Sequence, residues 1–172
     1  MRARMRRQTL RLESCLRIAL GSDERSHVTD FVEQELRGRG FDVRLFGPLG
    51  DEGASAAWPV VAGEVARAVA SGNVEEAVLF CWTGTGVSIA ANKVPGVRAA
   101  LCGDAETARG AKAWNQANVL CLSLRSTTEA QAKEILEAWF STAADPSEDA
   151  NVRTVMEMDE RLKGAPCAKR AG

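Results

Sequence analysis

Cys81 closes the apolar run Ala77-Val-Leu-Phe-Cys81 and is followed by Trp82-Thr-Gly-Thr-Gly86, then by Val-Ser-Ile-Ala-Ala-Asn-Lys93. A strand that ends in a cysteine, turns through glycines and enters a short helix puts a thiol and several free backbone N–H groups at one helix N-terminus. Partial positive charge there favours a thiolate and a bound anion. The chemistry this suits is proton transfer by sulfur, with developing negative charge held by main-chain donors. The same residues also fit a packing cysteine and glycines that merely permit a tight connection.

The elements that must position this turn are legible as apolar runs of about five residues alternating with helical periodicity. Leu16–Gly21 predicts a first strand, Val28–Arg37 a helix closed by Gly38 or Gly40, and Phe41–Phe46 a second strand. After a glycine- and acid-rich loop, Trp58–Ala70 predicts a helix with Pro59 in its first turn and Gly72 beyond its end. Glu76–Cys81, Val97–Leu101 and Val119–Leu122 supply three more strands, with helices over 86–92, 104–114 and 127–141. Five strands separated by helices imply an α/β fold: a Rossmann-like, doubly wound parallel sheet in three layers, with ligands beyond the carboxyl ends of the strands. Asp23, Cys81 and Cys102 or Asp104 fall at that edge. A last helix, about Glu148–Lys163, leaves the sheet pattern and is expected to pack on a partner subunit.

The chain has 172 residues, 45% hydrophobic and 26% charged, a balance suited to one domain with its own core. We divide it into a basic extension over 1–15, a main domain over 16–145, a C-terminal dimerisation helix over 146–165 and a tail over 166–172. The first twelve residues hold five arginines and read as a disordered start; they lack the apolar stretch of a secretory signal. A net charge of −1 gives no electrostatic case for nucleic acid. No apolar run approaches the roughly 20 residues needed to span a bilayer, so a cytoplasmic, non-membrane protein is expected. Five cysteines without paired spacing and a single histidine, His27, offer neither a disulfide framework nor a zinc pattern, and no metal is expected. Cys102 and Cys121 read as small buried hydrophobes.

Gly21-Ser-Asp23, the stretch CWTGTGVSIAANKVPGVRAALCGDAETAR from 81 to 109, NQANVLCLSLR from 115 to 125 and AKEILEAWFST from 132 to 142 resemble the ribose-5-phosphate isomerase B family, which includes the subunits of galactose-6-phosphate isomerase. The similarity runs over residues 16–158. It implies a Rossmann-like fold, at least a homodimer (with a homotetramer also in range) whose sites are shared between subunits, and cofactor-free interconversion of an aldose phosphate and a ketose phosphate through an enediolate.

By that resemblance Cys81 matches the base, and Thr83 the residue that helps open the sugar ring. Gly84, Thr85 and Gly86 match the turn that stabilises the enediolate, with Ser88 in the same substrate-binding stretch. Asp23 matches an aspartate on the substrate's hydroxyls, though an aspartate after a strand also caps a helix. Asn115 matches a substrate-binding asparagine, or is simply a helix end. Arg125 matches a phosphate contact, and a surface salt bridge would look the same in sequence.

Departures from the family pattern bear on the substrate. A phosphate-side histidine is replaced by Glu24, which Arg25 is placed to offset. The glycine after the cysteine is Trp82, whose bulk either narrows the site or stacks on a ligand. The ring-opening histidine is Trp114, whose indole N–H is no acid near neutral pH. The segment Asp-Tyr-Pro is Ala57-Trp58-Pro59, and Val61 stands where a second tyrosine often does. The arginines that reach a neighbour's phosphate become Ala150 and Thr154, with Arg153 one place off. His27, one helical turn past Asp23, is a weaker candidate for the pocket. The resulting expectation is an aldose–ketose isomerase acting on an altered or open-chain sugar phosphate. The alternative is a degenerate sugar-binding or partner subunit working beside a paralogous chain.

Overall fold

The computed structural model describes residues 15–164. The basic extension before Cys15 and the 166–172 tail lie outside the described residues. Five strands and six helices alternate: β1 (Arg17–Ser22), α1 (His27–Gly38), β2 (Asp42–Phe46), α2 (Trp58–Ala70), β3 (Glu76–Cys81), α3 (Thr85–Ala91), β4 (Ala99–Leu101), α4 (Ala105–Ala113), β5 (Val119–Ser123), α5 (Glu129–Ser141) and α6 (Asp149–Gly164). Short 3-10 turns at Gly47–Leu49 and Pro146–Glu148 follow β2 and precede α6.

The sheet is wholly parallel, in the order β2-β1-β3-β5-β4. Continuous apolar strands such as β5, buried along its whole length, are what a sheet covered on both faces requires. On one face Ile18, Leu20, Val78, Phe80, Leu120 and Leu122 pack under α1, α4 and α5, with Trp139 fully buried among them. On the other, Ala19, Leu79, Cys81 and Cys121 pack under α2 and α3. This is the expected three-layer, doubly wound Rossmann-like architecture. The winding reverses at β1, because β2 is added on one side of it and β3 on the other. The crevice beyond the carboxyl ends of β1 and β3 is therefore the topological switch point where such sheets bind ligands.

Local chemistry sets the boundaries. α1 begins one residue earlier than the apolar spacing suggests because Ser26 and Thr29 form a capping box, with Ser26 N donating to Thr29 Oγ1 at 2.9 Å and Thr29 N to Ser26 Oγ at 3.4 Å. The strand expected over Val97–Leu101 is a strand only over Ala99–Leu101. At this sheet edge side chains replace a neighbouring strand: Arg98 N donates to Asn118 Oδ1 and Ala99 N to Asn92 Oδ1, both at 2.8 Å. Among the described residues no helix is long and apolar enough to cross a membrane.

Candidate active site

The β1–β3 register pairs Ser22 with Phe80, and the β3–β5 register pairs Cys81 with Ser123. Asp23 thus leaves β1 level with Cys81, and both stand at the switch point. The turn after Cys81 is pinned by its main chain. Leu124 N and Gly84 N donate to the Cys81 carbonyl at 3.0 and 3.2 Å, and Arg125 N donates to the Trp82 carbonyl at 3.0 Å. Gly84 adopts φ +75°, and a Cβ there would sit 2.5 Å from Leu101 Cδ1 and 3.0 Å from the Leu122 carbonyl oxygen, so only glycine fits. α3 starts at Gly84 without a side-chain cap, which leaves its opening amides no side-chain acceptor. The hydroxyls of Thr83 and Thr85 hydrogen-bond each other at 2.6 Å in front of the turn.

Cys81 is only 5% exposed. Sequence alone leaves both a reactive thiol and a packing cysteine open; strand alternation turns this side chain into the apolar layer under α2 and α3, beside Leu79 and Val87. Ser88 is half-buried on α3. Burial pushes the Cys121 thiol far up and the Cys102 thiol up to about 12, with the Asp104 charge adding to the latter, so both behave as the hydrophobes expected.

Asp23 is half-buried and its Oδ1 is a buried oxygen without a hydrogen-bond partner. Burial holds this carboxyl above the usual aspartate range, the nearby Glu24 charge adds to the shift, and the backbone amides of Asp23 and Glu24 oppose it. The helix-cap role belongs to Ser26 for α1 and, for α4, to Asp104, whose Oδ1 accepts from Thr107 N at 2.7 Å. Asp23 is therefore a polar group at the sheet edge with no structural task of that kind.

The remaining predicted residues separate into three situations. Glu24 is exposed, with its amide on Ser22 Oγ at 3.3 Å. Arg25 is committed elsewhere: its guanidinium meets Asp30 Oδ1 at 2.6 Å and the Leu49 carbonyl at 2.7 Å, strapping the turn after β2 to α1. Arg125 is exposed just beyond β5, His27 is exposed at the start of α1, and Arg153 is exposed on α6. Trp114 and Asn115 lie away from the turn, at the end of α4. There they line a cavity of about 940 Å³ with Leu101, Arg98, Val152 and Met158, a lining that includes neither Cys81 nor the Thr83–Gly86 turn. One chain thus carries the pinned turn, with Asp23, at the switch point and the Trp114–Asn115 corner at the β4 edge.

Trp58 joins the site from outside the sequence-derived set of site residues. A Cβ on Gly86 would sit 3.1 Å from the Trp58 indole, so this ring lies close against the start of α3. The sequence signal was Trp58-Pro59 at a helix start, read there only as a departure from a pattern. Trp58, Trp82 and Trp114 are 42, 60 and 58% exposed, an unusual display for indoles in a chain whose fourth, Trp139, is fully buried.

Comparison with known proteins completes the description. The family model described as Ribose/Galactose Isomerase matches residues 18–157. The chain is 36% identical over 130 residues to the D-erythrulose-4-phosphate isomerase of Pectobacterium atrosepticum, covering 73% of this chain and 82% of that one. It is 37% identical over 128 residues to the ribose-5-phosphate isomerase B of Escherichia coli, covering 72% and 83%. Among solved structures, the ribose-5-phosphate isomerase B of Clostridium thermocellum superposes with a TM-score of 0.79 at 33% identity, over 86% of this chain and 99% of that one.

Proposed function

This chain belongs to the Ribose/Galactose Isomerase family, and from that premise we propose that it interconverts an aldose phosphate and a ketose phosphate that are already open-chain, a tetrose phosphate being the best fit. The observation that carries this is the pinned turn after Cys81, glycine-forced at Gly84, uncapped, and seated at the switch point beside Asp23.

In the proposed reaction the Cys81 thiolate removes the proton from the carbon beside the carbonyl. The electron pair moves onto the carbonyl oxygen to give an enediolate, whose charge the amides of the Thr83–Gly86 turn hold. The Cys81 thiol returns the proton to the neighbouring carbon, and a proton passes between the two substrate oxygens, so nothing is oxidised or reduced overall. Asp23 receives the substrate's hydroxyls, and Thr83 stands at the mouth of the turn. Arg125, beyond β5, is the phosphate partner this reading favours, since Arg25 is already engaged.

Trp114 bears on the substrate. An indole cannot protonate a ring oxygen near neutral pH. A four-carbon sugar phosphorylated on its terminal oxygen has no free hydroxyl with which to close a five-membered ring, so it needs no ring-opening acid. The relative from P. atrosepticum bears the name of an enzyme for such a substrate.

The separation of the Trp114–Asn115 corner from Cys81 supports a homodimer in which that corner of one protomer completes the turn of the other. Exposed Ile89 on α3 and Val155, Met156 and Met158 on α6 supply apolar surface for the contact. The test is to incubate the purified protein with D-erythrulose 4-phosphate, ribose 5-phosphate and galactose 6-phosphate in deuterated water and follow label entering the carbon next to the carbonyl. Label entry that Cys81→Ala abolishes is the expected result. No label with any sugar, together with co-purification of a related chain, overturns the proposal in favour of a partner subunit.

A further inference from the structure

The corner that carries Asn115 has an unfavourable backbone conformation, and the side chain of Arg98 braces it. Gln116 has φ +47° and is the one non-glycine residue with positive φ among those described, a conformation that persists only where its surroundings impose it. Arg98 makes three of the hydrogen bonds that do so. Its Nε donates to the carbonyls of Asn115 at 3.1 Å and Gln116 at 3.0 Å, and its Nη2 donates to Gln116 again at 2.7 Å. Arg98 is itself fixed, since its amide donates to Asn118 Oδ1 while Asn118 Nδ2 donates to the Gly96 carbonyl at 2.9 Å. The corner is also tied to the last helix: Gln116 Nε2 donates to Asp149 Oδ1, and Gly96 N to Asp159 Oδ2, each at 2.7 Å.

We propose that Arg98 is a positioning residue, whose guanidinium fork sets the Trp114–Gln116 corner, and with it the first turn of α6, in the form that presents Asn115 to substrate. This rests on the isomerase reading above only for Asn115's part in binding. The fork matters more than the charge. A guanidinium delivers two N–H directions to adjacent carbonyls from one rigid plane, which an ammonium on a flexible stem does not. Half-buried and turned inward onto carbonyls, Arg98 acts through the main chain of the corner, not on the reacting atoms.

The experiment compares the full-length protein with Arg98→Lys, Gln116→Gly and the double variant. Hydrogen exchange of the amides over 114–118 should quicken in Arg98→Lys while the sheet is unaffected. KM for D-erythrulose 4-phosphate should rise about tenfold with kcat within about threefold, the split expected when binding geometry alone is lost. Gln116→Gly removes both the strained φ and the tie to Asp149, so the double variant should show a KM close to that of Gln116→Gly alone, the Arg98 strap having no strained conformation left to impose. Unchanged exchange in Arg98→Lys overturns the proposal, and so does quickened exchange with an unaltered KM. Should the parent protein isomerise no sugar phosphate, it is the isomerase reading that falls; the exchange result then judges the Arg98 strap by itself.

Discussion

The hydroxyl of Ser123 donates to the carbonyl of Trp82 at 2.9 Å, joining the last residue of β5 to the residue that follows Cys81. With Arg125 N on the same oxygen, the main chain of Trp82 has little freedom and its exposed indole projects from a fixed base. If the sugar approaches Cys81 past this ring, as the proposed reaction requires, the bulk of the indole sets a limit on substrate size. Trp82→Gly should raise kcat/KM for ribose 5-phosphate relative to D-erythrulose 4-phosphate by at least about tenfold, on the order of 1.4 kcal/mol of discrimination. Steady-state kinetics with both sugars checks this, and an unchanged ratio removes Trp82 from any role in selecting substrate.

Cys81→Ser keeps the volume of the side chain but exchanges the thiol for a far weaker acid. Loss of a general base lowers rates by roughly 10² to 10⁴, and deuterium exchange into substrate should fall by that factor. The cost in stability should be about 1 kcal/mol, because the hydroxyl enters the apolar layer beneath α2 and α3. A variant that keeps parent exchange rates shows that another group moves the proton.

Gly84→Ala should destabilise the fold by about 2 kcal/mol or more, combining a left-handed φ with a Cβ driven into Leu101 and the Leu122 backbone. Gly86→Ala meets only the Trp58 ring, at 3.1 Å, and should cost less while shifting that indole. Urea melts of the two variants provide the comparison; equal costs would contradict the geometry of the turn.

Asp23→Asn should separate stability from activity. The folded protein raises this carboxyl above its ordinary 3.8, so its charge is a penalty that is absent below that value and complete above the folded pKa. The amide should therefore stabilise the protein at pH 7, with the gain fading as pH falls through the folded pKa toward the ordinary value. Activity should drop across the same range, because the substrate loses a charged acceptor. Melting curves against pH read the first effect, and a gain that persists into acid contradicts it.

A mixing experiment checks the shared site. Cys81→Ala and Asn115→Ala should each be nearly inactive alone. Unfolded and refolded together in equal amounts, random pairing makes half the dimers mixed, each with one intact site, and about a quarter of the parent activity should return. No recovery, with mixed dimers demonstrated by mass, would place Cys81 and Asn115 of one chain in the same site.

Most of the scaffold was legible because the central strands β1, β3 and β5 are buried on both faces and so appear as largely apolar runs, as at Val119–Ser123. The helix over Trp58–Ala70 was legible to the residue, with Pro59 opening it and Gly72 following. What escaped depended on contacts across space. Nothing local says that Cys81 turns under α2, that Arg25 reaches the Leu49 carbonyl, or that Trp58 lies on Gly86. The shortness of β4 escaped for a related reason, since the Asn92 side chain takes up the outer N–H and carbonyl of Ala99 and the Asn118 side chain takes the Arg98 amide on the β5 side. The resemblance to a family supplied roles for residues, whereas only the folded chain shows the Trp114–Asn115 corner lining a cavity that the turn does not reach.

The uneven placement of the indoles equips this protein with its own optical gauge. It contains no tyrosine, so near-ultraviolet excitation addresses tryptophan alone. Trp139, sealed in the interior beneath Lys112, emits as a constant blue background, while Trp58, Trp82 and Trp114 respond to whatever reaches the surface they occupy. A titration in a fluorimeter therefore offers a label-free test of whether a sugar phosphate or a second protomer reaches those three rings.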